Sequence, residues 1–242
     1  MAVMTKAVLA IDLIARAHAP VRLADVAEAL GMPKSSAHRL LTELAVHDML
    51  RRDDAGRFLL GPRLLSWGVA AELSYDLRGI AEPHMRQLSH ASGESVNLHV
   101  IQADHRVCIA AVRGTENLFP HVAIGEALPL GVGASGKVLL AFCPGSQQDE
   151  VIAALAAAGK PAPTREQLAL IRSNHWATSI DEQQLGLSAG ASIVLGPGGR
   201  PLGALAIGGD VDRFPPDRLE DLRAHVVAAA QAISAQVTGR IG

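Results

Sequence analysis

The 242-residue chain reads as an α+β protein in two parts: an N-terminal winged helix-turn-helix, joined by a linker helix to a larger domain on a mostly antiparallel sheet. Three observations predict this. The first sixty residues carry three short amphipathic periodicities followed by two apolar segments around a turn. Gly61-Pro62 then punctuates the chain. Beyond it, alternating apolar segments around turns are interspersed with helical ones, and a long amphipathic stretch closes the sequence.

In the first part, Ala7, Ala10, Ile11 and Ile14 recur at i, i+3, i+4, i+7 and predict a helix that His18-Ala19-Pro20 ends. Leu23, Val26, Ala27 and Leu30 repeat the spacing, and Gly31 sits where a C′ glycine would close that second helix. Pro33 suits the N1 position of a third helix, where its missing N–H costs nothing. Ala37, Leu40, Leu41 and Leu44 form the buried stripe of this helix. The segments around Met49-Leu50 and Phe58-Leu59-Leu60 flank Asp53-Asp54-Ala55-Gly56 and make a hairpin, with Gly56 supplying positive φ. The winged helix-turn-helix takes residues 1–61, a linker helix 62–79 and the second domain 80–242.

In the second domain a helix runs up to Ser92-Gly93. Glu94–Ile101 and Val107–Val112 alternate around Ala103-Asp104-His105 and predict an antiparallel pair, and a further strand precedes Pro129. Helices are expected over Ser135–Phe142, Gln147–Ala158 and Arg165–Asn174. Ala191–Leu195 and Leu202–Ile207 flank Gly196-Pro197-Gly198-Gly199-Arg200 as a second hairpin. Leu219, Leu222, Val226, Ala230, Ile233 and Val237, spaced by threes and fours, predict a long helix packed on the sheet.

Hydrophobic residues at 49% and charged ones at 19% argue against disorder, while aromatics at 3% require a core of Ala, Val, Leu and Ile. The formal net charge of -2 excludes a uniformly basic coat but says nothing of a local patch. Two cysteines, Cys108 and Cys143, cannot build a disulfide framework and suit a reducing compartment. No apolar run approaches the ~18 residues that a membrane span needs, and Asp12 and Arg16 interrupt any signal-peptide core. A cytoplasmic globular protein is expected.

Opposite the buried stripe of the third helix lie Ser35, His38, Arg39 and Thr42, hydrogen-bonding groups with no carboxylate among them. Lys34, Ser35 and Ser36 occupy the first turn, where free N–H groups and the helix dipole favour a phosphate. Such a helix can enter the major groove of double-stranded DNA, with Arg39 placed to pair bidentately with guanine. Arg51, Arg52 and Arg57 on the hairpin are placed to reach flanking phosphates.

These residues are familiar as a set. The run from Leu23 to Leu41, Leu23-Ala24-Asp25-Val26-Ala27-Glu28-Ala29-Leu30-Gly31-Met32-Pro33-Lys34-Ser35-Ser36-Ala37-His38-Arg39-Leu40-Leu41, resembles the helix-turn-helix of the IclR family of bacterial transcription regulators. The resemblance continues through Gly56–Leu65, Pro129–Phe142 and Asp181–Leu187, in order along almost the whole chain. It implies a GAF-like effector-binding domain, operator DNA as partner, dimers through the N-terminal domain and often tetramers, with no cofactor.

It also implies an effector site bounded by the sheet face, the loop leading into the Ser135 helix and the loop before Leu185. In relatives an organic acid is held by main-chain groups at the start of that helix, an acidic residue before the Leu-Gly-Leu motif, and Cys or Ser side chains on the next two strands. Carried over, the helix-start groups fall at Ala134 and Ser135, the acidic position at Ser179, the cysteine at Ala189 and the two serines at Ala206 and Gly208. Only Ser179 keeps a polar side chain among the carried-over side-chain positions. These small residues predict a roomier, more apolar pocket for an aromatic or bulkier ligand. Approximate alignment adds Leu118, Phe119, His121 and Trp176 as wall residues.

The alternative is an enzyme. Gly131-Val132-Gly133-Ala134-Ser135-Gly136 matches G-x-G-x-x-G, and Gly131 to Lys137 matches most of a P-loop. Val138 stands where a P-loop needs Ser or Thr, and an Ala-rich helical segment surrounds Asp149 and Glu150 where a dinucleotide fold needs a strand. His84 with His90, and His99 with His105, lack the i, i+4 spacing of paired metal ligands and read as surface histidines; no metal is expected.

Overall fold

The computed structural model describes residues 3–17, 19–75, 77–115 and 122–241. The chain divides into two units, Met1–Tyr75 and Asp76–Gly242. The division falls inside the 62–79 stretch read as a linker helix, between two helices that flank residue 76.

The first unit contains α1 (Val3–Arg16), α2 (Leu23–Ala29), α3 (Lys34–Val46), the strands β1 (Leu50–Arg52) and β2 (Phe58–Leu60), and α4 (Pro62–Tyr75). His18 lies outside the described residues. The apolar stripes meet as their spacing requires: Ala10, Ile14, Val26, Leu41 and Leu44 are buried together with Leu50 and Phe58 of the hairpin. Gly31 has φ +57°. The N–H groups of Gly31 and Met32 donate to the carbonyls of Glu28 and Ala27, a Schellman closure that turns the chain from α2 into α3. Pro33 is the N-cap of α3, with φ -56° and ψ 141°, and not its first helical residue. A proline ring sets φ but leaves ψ free, so it fits either position. β1 and β2 pair antiparallel with Leu50 opposite Leu60, and Gly56 turns the wing at φ +74°.

The second unit runs α5 (Leu77–Ser92), β3 (Ser95–Gln102), β4 (His105–Val112), β5 (Ala127–Pro129), α6 (Gly133–Ala141), α7 (Gly145–Ala157), α8 (Arg165–Asn174), β6 (Trp176–Ile180), β7 (Leu187–Leu195), β8 (Pro201–Asp210) and α9 (Pro216–Ile241). The six strands form one antiparallel sheet in the order β5-β4-β3-β8-β7-β6. β6 and the first half of β7 are absent from the sequence reading. β6 is only five residues long, Trp-Ala-Thr-Ser-Ile, too short to show a clear period-2 pattern, and β7 opens on Leu-Ser-Ala-Gly, small residues of weak strand preference.

Strand alternation divides the core. On β8, Leu205 and Ile207 face α5 and α9, while Ala204 and Ala206 face α6, which α7 and α8 back. Large side chains fill the first face. Alanines on the second let α6, itself opening Gly133-Ala134-Ser135-Gly136, approach the sheet closely. Among the described residues no helix is long and apolar enough to cross a membrane.

Candidate DNA-reading face and effector pocket

Lys34, Ser35, Ser36, His38 and Arg39 are exposed on α3, opposite buried Ala37, Leu41 and Leu44. Among the described residues no side chain caps the helix, which leaves the N–H groups of its first turn open to a phosphate. Ser35, Ser36 and Arg39 border an open groove of about 710 Å³ that α1 flanks with Val3 and Lys6. Glu43 lies at the margin of this groove, so a carboxylate stands one turn from Arg39; it pairs with His47 at 3.5 Å.

The three wing arginines have different surroundings. Arg52 donates from Nη2 to the Thr42 hydroxyl at 2.8 Å and lies 4.7 Å over the Phe58 ring. Thr42 is half-buried, and the pair braces wing against helix. Arg57 is held by Asp53, whose carboxylate also accepts the N–H groups of Ala55 and Arg57. Those bonds hold the Asp53 carboxyl below its ordinary range. Arg51 is exposed, with no side-chain partner among the described residues.

In the second unit, strand register brings distant residues into rows. Ser179, Ala189, Gly208 and Ser95 are successive partners across β6, β7, β8 and β3. Ala177, Ala191, Ala206 and Asn97 form the next row on the same face. The first row, with Asn97 and Ala206 of the second and Ala134 and Ser135 at the start of α6, bounds a cavity, and all six carried-over positions, Ala134, Ser135, Ser179, Ala189, Ala206 and Gly208, line it.

Trp176 does not. Its row runs Trp176, Ser192, Leu205, Leu98, and the indole packs in the core under α5 and α9. Trp176 and Ser179 are three residues apart on one strand, and an odd separation puts side chains on opposite faces. Leu118, Phe119 and His121 lie outside the described residues.

The cavity is not roomy, and polar side chains share its lining with apolar ones. Its volume is about 60 Å³, against roughly 150 Å³ for a site that takes benzene. The reason lies on strands that the carry-over did not touch. Asn97 and His99 of β3 and Arg106 of β4 turn into it, and Gln183 closes it from the β6–β7 loop. Arg106 is 2% exposed. Its Nη1 donates to the carbonyls of Pro129, at 3.3 Å, and Val132, and its Nη2 to Oε1 of Gln183. Burial pushes the guanidinium down to about 10, against the pull of nearby Cys108, Glu126 and Glu182, so it remains charged at neutral pH. His99 is buried, not a surface histidine. Desolvation and then the charge of Arg106 push it down to about 3. The apolar run that predicts β4 starts at Val107, one residue past Arg106, and the charge abutting it is the available signal.

The glycine-rich loop acquires a different purpose. A Cβ on Gly136 would lie 2.6 Å from Nη1 of Arg106, and one on Gly133 would lie 3.3 Å from Oε1 of Gln183. These glycines make room for the guanidinium and its amide partner. Lys137 pairs with Glu182, whose other oxygen accepts the Gly133 N–H at 3.2 Å. The ammonium and a helix N-terminal donor that a phosphate would need are both taken by this carboxylate. Cys108 and Cys143 are buried, and desolvation pushes both thiols up to about 11, away from thiolate chemistry.

Two family models match the chain: the IclR helix-turn-helix domain over residues 3–54 and the bacterial transcriptional regulator IclR C-terminal domain over residues 70–235. The chain belongs to the IclR family. The acetate operon repressor of Salmonella typhimurium is 29% identical over 244 residues, covering 96% of this chain and 88% of that protein. An IclR-type crystal structure from Silicibacter sp. TM1040 shares the fold at a TM-score of 0.90 and 24% identity, over 98% of this chain and 96% of that one. An IclR homolog from Microbacterium hydrocarbonoxydans, complexed with 4-hydroxybenzoate, matches at 0.75 and 19% identity over the whole of both chains. As an IclR-family member the protein is a transcriptional regulator and not an enzyme, and the nucleotide-binding alternative finds no support.

Proposed function

We propose that this IclR-family regulator binds an inverted-repeat operator as a homodimer or a dimer of dimers, and that a small organic acid in the second unit's cavity biases it between two arrangements. Ser35, His38 and Arg39 read base edges, Lys34 and Ser36 hold a phosphate at the α3 N-terminus, and Arg51 reaches the flanking backbone. Thr42 and Arg52 keep wing and helix in register. Residues 62–79 connect the two functions, and the regulator acts in the cytoplasm.

The observation that carries this reading is the exposed face that Lys34, Ser35, Ser36, His38 and Arg39 form at the start of α3 in a chain of this family, where no side-chain cap is found among the described residues. Self-association is supported by apolar side chains left exposed in the first unit: Val3, Met4 and Val8 on α1, Leu65 and Trp67 on α4. The 4-hydroxybenzoate held by the Microbacterium relative supports a carboxylate as effector. An aromatic of that size needs the cavity to open, because about 60 Å³ holds only one or two waters. An effector acts only through differential affinity for two states.

Selection of bound duplexes from a random DNA pool, then anisotropy titration at several salt concentrations, tests the reading. An enriched inverted repeat with a steep salt slope is expected; salt-insensitive or absent binding would overturn it.

A further inference from the structure

The cavity holds a charge to which no carboxylate is hydrogen-bonded among the described residues: Glu126 and Glu182 pull on it from nearby, but Glu126 accepts the Ala123 N–H. Among the described residues the hydrogen-bond partners of Arg106 are two carbonyls and one amide oxygen, all neutral, and its Nε has none. Glu182, the carboxylate nearest in sequence to Gln183, is engaged by Lys137. A guanidinium taken out of water and given only neutral acceptors is an unfavourable arrangement that a carboxylate relieves, because the planar fork matches its two oxygens. Two further side chains turn into the same space with hydrogen bonds unmade among the described residues: His99, 2% exposed, through both ring nitrogens, and Asn97 through Oδ1. Buried polar atoms are ordinarily satisfied, so three neighbours with unmade bonds around one cavity point to a polar guest.

We propose that Arg106 is the receptor for the effector's carboxylate, and that the amide oxygen of Gln183 is the internal group which that carboxylate displaces. This rests on the reading of the cavity as the effector site. The loop carrying Gln183 is tied on either side of it. Lys137 and the Gly133 N–H hold Glu182, and the Asp181 carboxylate accepts the Gly186 N–H at 2.6 Å. Gln183 can therefore leave Arg106 while its neighbours stay anchored. The exchange replaces a neutral acceptor with a charged one, a bond about twice as strong. His99 and Asn97 then meet a second polar group on the guest. The ligand class is a compact carboxylate with a further hydrogen-bonding group.

Acetate is the probe, with chloride at matched ionic strength as control, and its affinity for the full chain is read by calorimetry. Gln183→Ala uncovers Arg106 and is expected to bind acetate about ten-fold or more tighter than the wild type. Gln183→Glu places a carboxylate of its own on Arg106 and is expected to bind at least about ten-fold more weakly than Gln183→Ala. Folded Arg106→Gln is expected to bind none. Acetate affinity in Gln183→Ala no higher than in the other two chains overturns the proposal, as does retention by folded Arg106→Gln or no binding by Gln183→Ala. If Arg106→Gln fails to fold, the two Gln183 variants decide. Operator binding by the wild type, measured on the same preparation, tests the regulator reading separately.

Discussion

The indole of Trp176 lies across Gly190, so close that a Cβ on the glycine would sit 2.2 Å from Cη2 of the ring. Register pairs Trp176 with Ser192 and Gly190 with Thr178, which makes the two diagonal neighbours on the face toward α9. Leu219 of α9 closes the same spot at 3.2 Å. A methyl group there must push an indole out of a packed core. Gly190→Ala is expected to cost about 2 kcal/mol, seen by calorimetry as a fall in Tm of roughly 4–8 °C. An unchanged Tm would mean that the ring has room to move.

Arg39 and Arg51 should differ in kind. Arg39→Ala removes a side chain from the exposed face of α3, so sequence preference should relax by about 1–3 kcal/mol at one base pair while Tm holds. Arg51→Ala should weaken all duplexes alike and lower the salt slope by about one unit. Arg57→Ala should lower it less, because Asp53 already neutralises that charge. Equal slopes for the two wing variants would refute this division.

His99 makes stability depend on pH. Its folded value, about 3, lies below the ordinary 6.5, so the unfolded chain binds the extra proton between those values. Stability is full above pH 6.5 and declines as pH falls toward 3, by about 2 kcal/mol at pH 5. Urea titrations at pH 7.5 and pH 5 should show this loss in the wild type, and a smaller one in His99→Gln. Parallel losses would assign the pH dependence to other groups.

The Lys137–Glu182 pair, with side chains 17% and 23% exposed, holds the loop over the cavity. Lys137→Ala leaves a carboxylate without its cation and is expected to cost about 2 kcal/mol. Adding Glu182→Gln should restore part of that, a coupling that a double-mutant cycle measures. Additive effects would show that the pair contributes nothing. Magnesium ATP should leave the wild-type Tm unmoved.

Local chemistry was legible wherever it repeats along the chain. The stripes of α1, α2 and α3, the closure at Gly31 and the wing turn at Gly56 each depend on residues a few positions apart, and the structure reproduces them with Pro33 moved one position to the N-cap. The cavity was legible only in part. Small residues at Ala189, Ala206 and Gly208 were read as space, yet a small residue on a strand vacates volume that a neighbouring strand can fill. Here Asn97, His99 and Arg106 fill it. Trp176 went to the wrong face because β6 was not recognised as a strand, so the alternation that separates it from Ser179 could not be applied.

By itself the sequence determined the two-part α+β architecture, the helix that presents Arg39, and kinship with a family of regulators. Those follow from periodicity, caps and ordered motifs, all of which lie along the chain. Only the tertiary structure decided that Arg106 lies buried beneath the glycines of α6, that Gln183 meets it from 77 positions away, and that the cavity is small and charged. Register between strands far apart in sequence sets those neighbours, and burial among them converts a surface cation into one that seeks a carboxylate.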